Sequence, residues 1–227
     1  MNKIRESQET YFRNLLANHS GTPMAVSSES MEHKNLRFAQ ISRIFEGDDN
    51  FTIHDIGMGL AAYLDYLNTN FSGLDFTYSG TEILQEYVEN TRSRFPQNKF
   101  YLRDIADEKP HEKYDYVVMS GVFHQRRQIS IPDWEAFSQK LLKNAFGMSK
   151  KAIGFNFISP FVDFYQTDVY YCNLIKLIHF IHDDLSRFYV INSNYALYEF
   201  TVFVYQESYI RSMYPQTEFQ KYFKDKQ

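Results

Sequence analysis

Apolar residues recur along this chain with two different periods, and the alternation between them predicts its architecture. Up to Phe45 the spacing is helical with one break. Tyr11, Phe12, Leu15 and Leu16 share a helix face, Gly21-Thr22-Pro23 interrupts, and Leu36, Ile41, Ile44 and Phe45 continue the pattern from Ser30 onward. After the turn Glu46-Gly47-Asp48-Asp49-Asn50, apolar runs of strand length alternate with helical stretches. The spacing predicts strands over Phe51–Ile56, Leu74–Ser79, Phe100–Leu102, Tyr114–Met119 and Lys151–Ile158. It predicts helices running to Leu67, over Glu82–Phe95 and over Trp134–Phe146, the last stopped by Gly147. Strands separated by helices of that length pair in parallel, with helices on both faces. Beyond Ile158 comes a polar, aromatic loop from Ser159 to Tyr171, a helix from Leu174 to Ile181, and two β-rich runs, Ser186–Asn192 and Tyr198–Tyr205. A hairpin appended to a parallel sheet makes one of its strands antiparallel.

Composition narrows the picture. No repeat, low-complexity tract or linker divides the 227 residues, so one domain is expected: a helical cap over 1–46, a core over 47–206, and a tail over 207–227 serving as surface helix or homodimer contact. Aromatic residues make up 18% of the chain, with 21 Phe and 18 Tyr; much of this fills a core, and Tyr also suits pocket walls. A net charge of −4 offers no general attraction to phosphate backbones, so no nucleic-acid partner is expected. The single cysteine, Cys172, excludes an internal disulfide and a multi-cysteine zinc site, and reads as a small core residue. His179 and His182, with Asp183 and Asp184, read as a polar helix end, and no metal is expected. The first residues lack the apolar run of a signal peptide and no stretch reaches membrane-spanning length, which leads us to expect a cytoplasmic protein without membrane contact.

The candidate chemistry begins at Asp55-Ile56-Gly57-Met58-Gly59, where an apolar strand hands over to a helix. Glycines let a backbone pass close to a ligand, and the next helix presents free amides. As Gly57-x-Gly59-x-x-Ala62 the loop matches a dinucleotide fingerprint. As Asp55-x-Gly57-x-Gly59 it resembles motif I of the class I S-adenosylmethionine (SAM)-dependent methyltransferases. An acid at Asp55 favours the second reading, because SAM carries cationic amino and sulfonium groups. Ala61 stands where the methyltransferase motif commonly has a third glycine. Glu82, twenty-three residues after Gly59, is placed to accept hydrogen bonds from ribose hydroxyls; the plainer alternative is that it favours its helix N-terminus, with Thr81 as cap.

Other segments extend the resemblance. Tyr101-Leu102-Arg103-Asp104-Ile105 is similar to the methyltransferase segment in which an acid holds the adenine amino group and its neighbour packs the ring, implying Asp104 and Ile105. The run from Tyr114 through Ser120 and Phe123 to His124 resembles motif IV, which passes the transferring methyl. It makes His124 the candidate base. Gly21-Thr22-Pro23, Ser28-Glu29-Ser30 and Arg37-Phe38 resemble the entry helix of a bacterial methyltransferase group found among polysaccharide and natural-product biosynthesis proteins. Phe155-Asn156-Phe157-Ile158-Ser159, Val162-Asp163, Tyr170-Tyr171 and Leu197-Tyr198-Glu199-Phe200-Thr201 resemble its C-terminal half. The chain departs from that group at Asn192-Ser193-Asn194-Tyr195, where Arg-His-Asp-Tyr is usual.

The resemblance implies a Rossmann-like, doubly wound α/β fold with seven strands in the order 3-2-1-4-5-7-6, strand 7 antiparallel and an N-terminal helical cap. It implies SAM as cofactor, held by Arg37, Asp55, Gly57, Gly59, Glu82, Asp104, Ile105 and Ser120. Arg37 would pair with its carboxylate. The acceptor is expected to be a small molecule methylated on oxygen or nitrogen, facing Phe123, His124, Asn156, Asp163, Tyr165, Tyr170 and Tyr171, with His124 or Asp163 taking a proton. Three rivals are an NAD(P)-dependent oxidoreductase built on the same loop, a non-catalytic partner subunit of methyltransferase fold, and an RNA methyltransferase, against which the absence of conspicuous basic patches counts.

Overall fold

The structure, a computed structural model, describes residues 2–19 and 30–223. The Gly21-Thr22-Pro23 and Ser28-Glu29 segments lie outside the described residues. Two cap helices, α1 (Asn2–His19) and α2 (Met31–Ser42), precede the sheet. Ser30 caps α2 by accepting a hydrogen bond from the His33 amide at 3.1 Å. Then come β1 (Asn50–Ile56), α3 (Ala62–Asn70), β2 (Asp75–Glu82), α4 (Gln85–Arg94), β3 (Lys99–Leu102), β4 (Tyr114–Met119), α5 (Ile131–Met148) and β5 (Ser149–Ile158). α6 (Leu174–Phe180), β6 (Tyr189–Asn192), β7 (Glu199–Tyr205) and α7 (Glu207–Met213) complete the order. Among the described residues, no helix is long and apolar enough to cross a membrane.

The strands form one seven-stranded sheet in the order β3-β2-β1-β4-β5-β7-β6. β7 runs antiparallel to β5 and the other pairs up to β5 are parallel, as expected. Two apolar clusters flank it. On one face Ile41, Phe45, Tyr63, Leu64 and Leu67 pack with Ile53 and Tyr116; on the other Trp134, Leu142 and Ala145 of α5 pack with Val117, Ile153 and Val202. Each fully buried large apolar side chain contributes about 1.5–3 kcal/mol.

Several boundaries differ from the expected ones, each for a packing reason. β2 runs to Glu82 rather than ending at Ser79, so Thr81 is a strand residue and not a helix cap. The buried His54 of β1 takes the hydroxyls of Ser79 and Thr81, each at 2.7 Å, and stacks on Tyr114 at 4.5 Å, giving this polar stretch a strand partner. Burial pushes the His54 imidazole down to about 3, which keeps it neutral. α5 continues through Gly147 to Met148, because Ala145 and Met148 are anchored in the core. Ala61 enters α3 in the left-handed conformation, φ 54°, which explains why a glycine is usual there in the proteins it resembles.

Candidate functional site

The chain leaves β1 to one side and β4 to the other, and at that divergence a cavity of about 370 Å³ opens at the carboxyl ends of the strands. This is where open α/β sheets bind ligands. α1 and α2 cover it. Gln8 and Phe12 of α1 and Lys34 and Arg37 of α2 line it, and Gln8 Nε2 ties α1 down by donating to the Gln125 carbonyl at 2.8 Å.

Three acids sit on one side. Asp55, at the end of β1, is buried; its Oδ2 accepts from the Tyr78 hydroxyl at 2.8 Å, while Oδ1 has no partner among the described residues. Burial pushes its carboxyl up to about 7, with the Tyr78 hydroxyl working against the shift and Glu82 adding to it. A buried, unpartnered carboxylate oxygen is a costly feature unless a donor fills it. Gly57 follows with φ 72°, and a Cβ there would meet Val122 Cγ2 at 2.7 Å, so only glycine fits the turn. Glu82 closes β2; Oε2 accepts from the Gly59 amide at 3.0 Å, and Oε1 from the amides of Ile83 at 2.7 Å and Leu84 at 3.3 Å. Burial raises its carboxyl despite these three bonds. Glu82 thus braces the glycine loop and the approach to α4 as well as facing the cavity. Asp104, after β3, accepts from the Ala106 amide at 3.0 Å and is also raised by burial.

On the other side a buried network joins four elements. Arg37 donates from Nε to Glu199 Oε1 at 2.7 Å and from Nη2 to the same oxygen at 2.6 Å. Asn156 Nδ2 donates to Glu199 Oε2 at 2.5 Å and lies 3.2 Å from His124 Nε2, while Asn156 Oδ1 accepts from the Gly121 amide at 2.8 Å. Burial opposes the Glu199 charge, but the neighbouring His124 ring, the Arg37 guanidinium and the hydrogen bonds from Arg37 and Asn156 together outweigh it and hold the carboxyl below its usual range. Burial pulls the His124 imidazole down to about 4.

Arg37, Asp55, Gly57, Gly59, Glu82, Asp104, Ile105 and Ser120 all line this cavity. The acceptor set is dispersed: of its members only His124 and Tyr171 line the cavity, and the Tyr171 hydroxyl accepts from the Gln166 amide at 2.8 Å. Phe123 is core, stacked on Phe157 at 4.7 Å, and Tyr170 is buried with its hydroxyl directed to Glu135 at 3.2 Å. Asn156 stands behind His124 rather than on the wall. Asp163 and Tyr165 are exposed and off the cavity; Asp163 takes the Tyr198 hydroxyl and Tyr165 donates to the Pro160 carbonyl at 2.7 Å. Their loop neighbours Val162, Phe164 and Gln166 border the cavity instead, with Phe164 and Gln166 still largely open to solvent at its rim.

Sequence reasoning missed Glu199, Lys34, Tyr78 and the inner face of α1. A signal existed for two of them. Glu199 is an acid inside an otherwise apolar strand, and Lys34 lies one helical turn before Arg37.

No family model matches the chain. It is 29% identical over 168 residues, 73% of this chain and 99% of the relative, to the Mycobacterium tuberculosis protein named "Putative methyltransferase Rv1506c". In three dimensions it is similar to magnesium protoporphyrin IX methyltransferase (ChlM) from Synechocystis PCC 6803, solved with bound SAM, with a TM-score of 0.61 and 12% identity over 89% of this chain and 97% of that one. It is similar also to the N-methyltransferase NodS from Bradyrhizobium japonicum WM9, solved with S-adenosylhomocysteine (SAH), with a TM-score of 0.62 and 12% identity over 87% of this chain and 97% of that one. The fold is that of the class I SAM-dependent methyltransferases.

Proposed function

We propose that this protein transfers a methyl group from SAM to a small-molecule acceptor. The observation that carries the reading is the unpartnered, buried Oδ1 of Asp55 beside the Gly57–Gly59 turn, in a cavity at the strand ends. A cationic amino group supplies the donor that oxygen lacks, whereas the pyrophosphate of a dinucleotide would meet a carboxylate there. Asp55 would hold the amino group, Glu82 the ribose hydroxyls through the lone pairs its three amide bonds leave over, and Asp104 the adenine amino group. Ile105 would pack the base, and Ser120 would border the methionine end.

Arg37 is committed to Glu199 through Nε and Nη2, whereas the Lys34 ammonium has no hydrogen bond or ion pair among the described residues. Lys34 therefore takes the carboxylate of the cofactor in preference to Arg37. SAM, when bound, supplies a methyl on a sulfonium; the chain aligns the acceptor with it and keeps water out. Titration calorimetry with SAH and NAD tests this. Micromolar SAH binding with no NAD binding is expected, and tight binding of NAD alone overturns the reading.

A further inference from the structure

We propose that Tyr78 is a positioning residue of the cofactor site: its hydroxyl fixes Asp55 so that one carboxylate oxygen is occupied inside the protein and the other is left for the ammonium of the cofactor. The proposal rests on the methyltransferase reading above and adds to it the group that orients its central acid.

The placement follows from the sheet. Parallel pairing sets Asp55 beside Gly80 and Ile53 beside Tyr78, so Asp55 and Tyr78 share a face, one pleat apart. Gly80 has no side chain to stand between them; a Cβ there would collide with the Met58 sulfur, which fills the space. The Tyr78 ring is buried in the cluster that holds Ile53, Met58 and Phe100, and its hydroxyl reaches Asp55 Oδ2 at 2.8 Å. A hydroxyl sealed from water must find an acceptor, and among the described residues Asp55 is the one it has.

The bond makes the two carboxylate oxygens unequal. Tyr78 can only donate here, because burial and the Asp55 charge hold its phenol well above its ordinary value. Oδ2 therefore receives a hydrogen, and a proton taken up by Asp55 goes to Oδ1, the oxygen without a partner. An ionised Oδ1 accepts from an ammonium, whereas a protonated Oδ1 turns a hydrogen towards it. Tyr78 favours the ionised form, while burial and Glu82 oppose it, with the balance at about 7.

The other groups facing Asp55 do not take over this role. The Tyr63 hydroxyl of α3 is paired with Ser42 Oγ of α2 at 3.0 Å. Glu82 bears the same charge and is braced by three amides. Of the cations on α2 that line the cavity, Arg37 is bound to Glu199 and Lys34 makes no bond to Asp55. His124, on the other side of the cavity, is held neutral by burial.

The test is Tyr78→Phe, which keeps the ring in the core and removes only the hydroxyl. The full chain, labelled with carbon-13 at the aspartate carboxyls, is titrated without ligand, and Asp55→Asn assigns the Asp55 signal. A hydrogen bond to a charged group corresponds to about one to two pH units, so the Asp55 midpoint is expected to rise from about 7 to about 8–9 in Tyr78→Phe. An unmoved or lowered midpoint overturns the proposal. The wild type gives a second reading that needs no variant to fold. Its Tyr78 hydroxyl proton, identified by through-space contact with its own ring, should exchange slowly with water and shift as Asp55 titrates; a freely exchanging proton overturns the bond.

SAH affinity is then measured in both proteins and compared at each pH, so that titration of the ligand itself cancels. Tyr78→Phe is expected to bind roughly tenfold more weakly than the wild type at about pH 7 and within about threefold of it at about pH 9. A lost core contact alone would weaken binding equally at every pH, and that constant ratio overturns the proposal while leaving the cofactor reading in place. No SAH binding to the wild type at any pH overturns the cofactor reading and the proposal with it.

Discussion

The two sides of the cavity are built by different means. The side assigned to SAM is made of strand ends: Asp55, Glu82 and Asp104 close or follow β1, β2 and β3, and their places relative to one another are set by the sheet register that pairs Asp55 with Gly80 and Glu82 with Leu102. The side proposed for the acceptor is made of a loop and a cross-element network, in which α2, β5, β7 and the segment after β4 each contribute one polar side chain. A strand turns alternate side chains to a given face, so a residue's place can be counted. A loop has no such period, and a neighbouring residue serves as readily as the expected one. Val162 and Phe164 stand on the wall while Asp163 does not.

That contrast can be broken at Asp55. Asp55→Asn removes the charge facing the proposed amino group and is expected to weaken SAH binding by about a hundredfold, about 3 kcal/mol, read by calorimetry. Because burial raises the folded-state value to about 7 from an ordinary 3.8, the protonated carboxyl stabilises the ligand-free fold fully below about pH 4 and that stability is lost as pH rises through about 7. The same variant should therefore raise the melting temperature of the ligand-free protein at about pH 8 while ruining ligand binding. Opposite signs on stability and affinity mark a site built for a ligand.

On the acceptor side, Glu199→Gln leaves the part-buried Arg37 guanidinium without its counter-charge. Unfolding in denaturant is expected to show a loss of about 2 kcal/mol, below the roughly 3–5 kcal/mol of a fully buried pair because Arg37 retains some water contact. A change below about 0.5 kcal/mol would mean that the network does not hold α2 to the sheet. A smaller effect separates the halves by pH. SAH affinity should fall about tenfold between about pH 8 and pH 6 as Asp55 takes up its proton, and Asp55→Asn should abolish that dependence. The smallest effect is expected at the loop surface, where Asp163→Asn and Tyr165→Phe should change methyl transfer by less than about twofold, since surface changes away from buried features are nearly neutral. A larger loss would extend the acceptor half beyond the cavity.

Much of the strand-borne half was legible. Asp55-Ile56-Gly57-Met58-Gly59 announces its turn by composition, the alternation of strands and helices sufficed for a parallel sheet with an appended hairpin, and the family resemblance supplied the strand order. The end of β2 was not legible, because Ser79-Gly80-Thr81 reads as a loop until His54 is seen to bind both hydroxyls. Arg37 was read as a ligand for a carboxylate outside the protein. Its actual partner, Glu199, lies 162 residues away in sequence.

The sequence by itself determined most of the elements, their parallel pairing with an appended hairpin, and the acids at the strand ends, because hydrophobic period and glycine chemistry are local and repeat with each strand; the order of strands in the sheet came from the family resemblance. Only the tertiary structure decided which polar groups are already spent on one another. Glu82 is braced by three amides, Arg37 is bound by Glu199, and His124 is oriented by Asn156. The pairings that involve Arg37 and His124 span distant elements and depend on burial, which makes a hydrogen bond between them worth more than contact with water. No local pattern encodes that preference, and it places His124 in a buried network with Asn156 and Glu199.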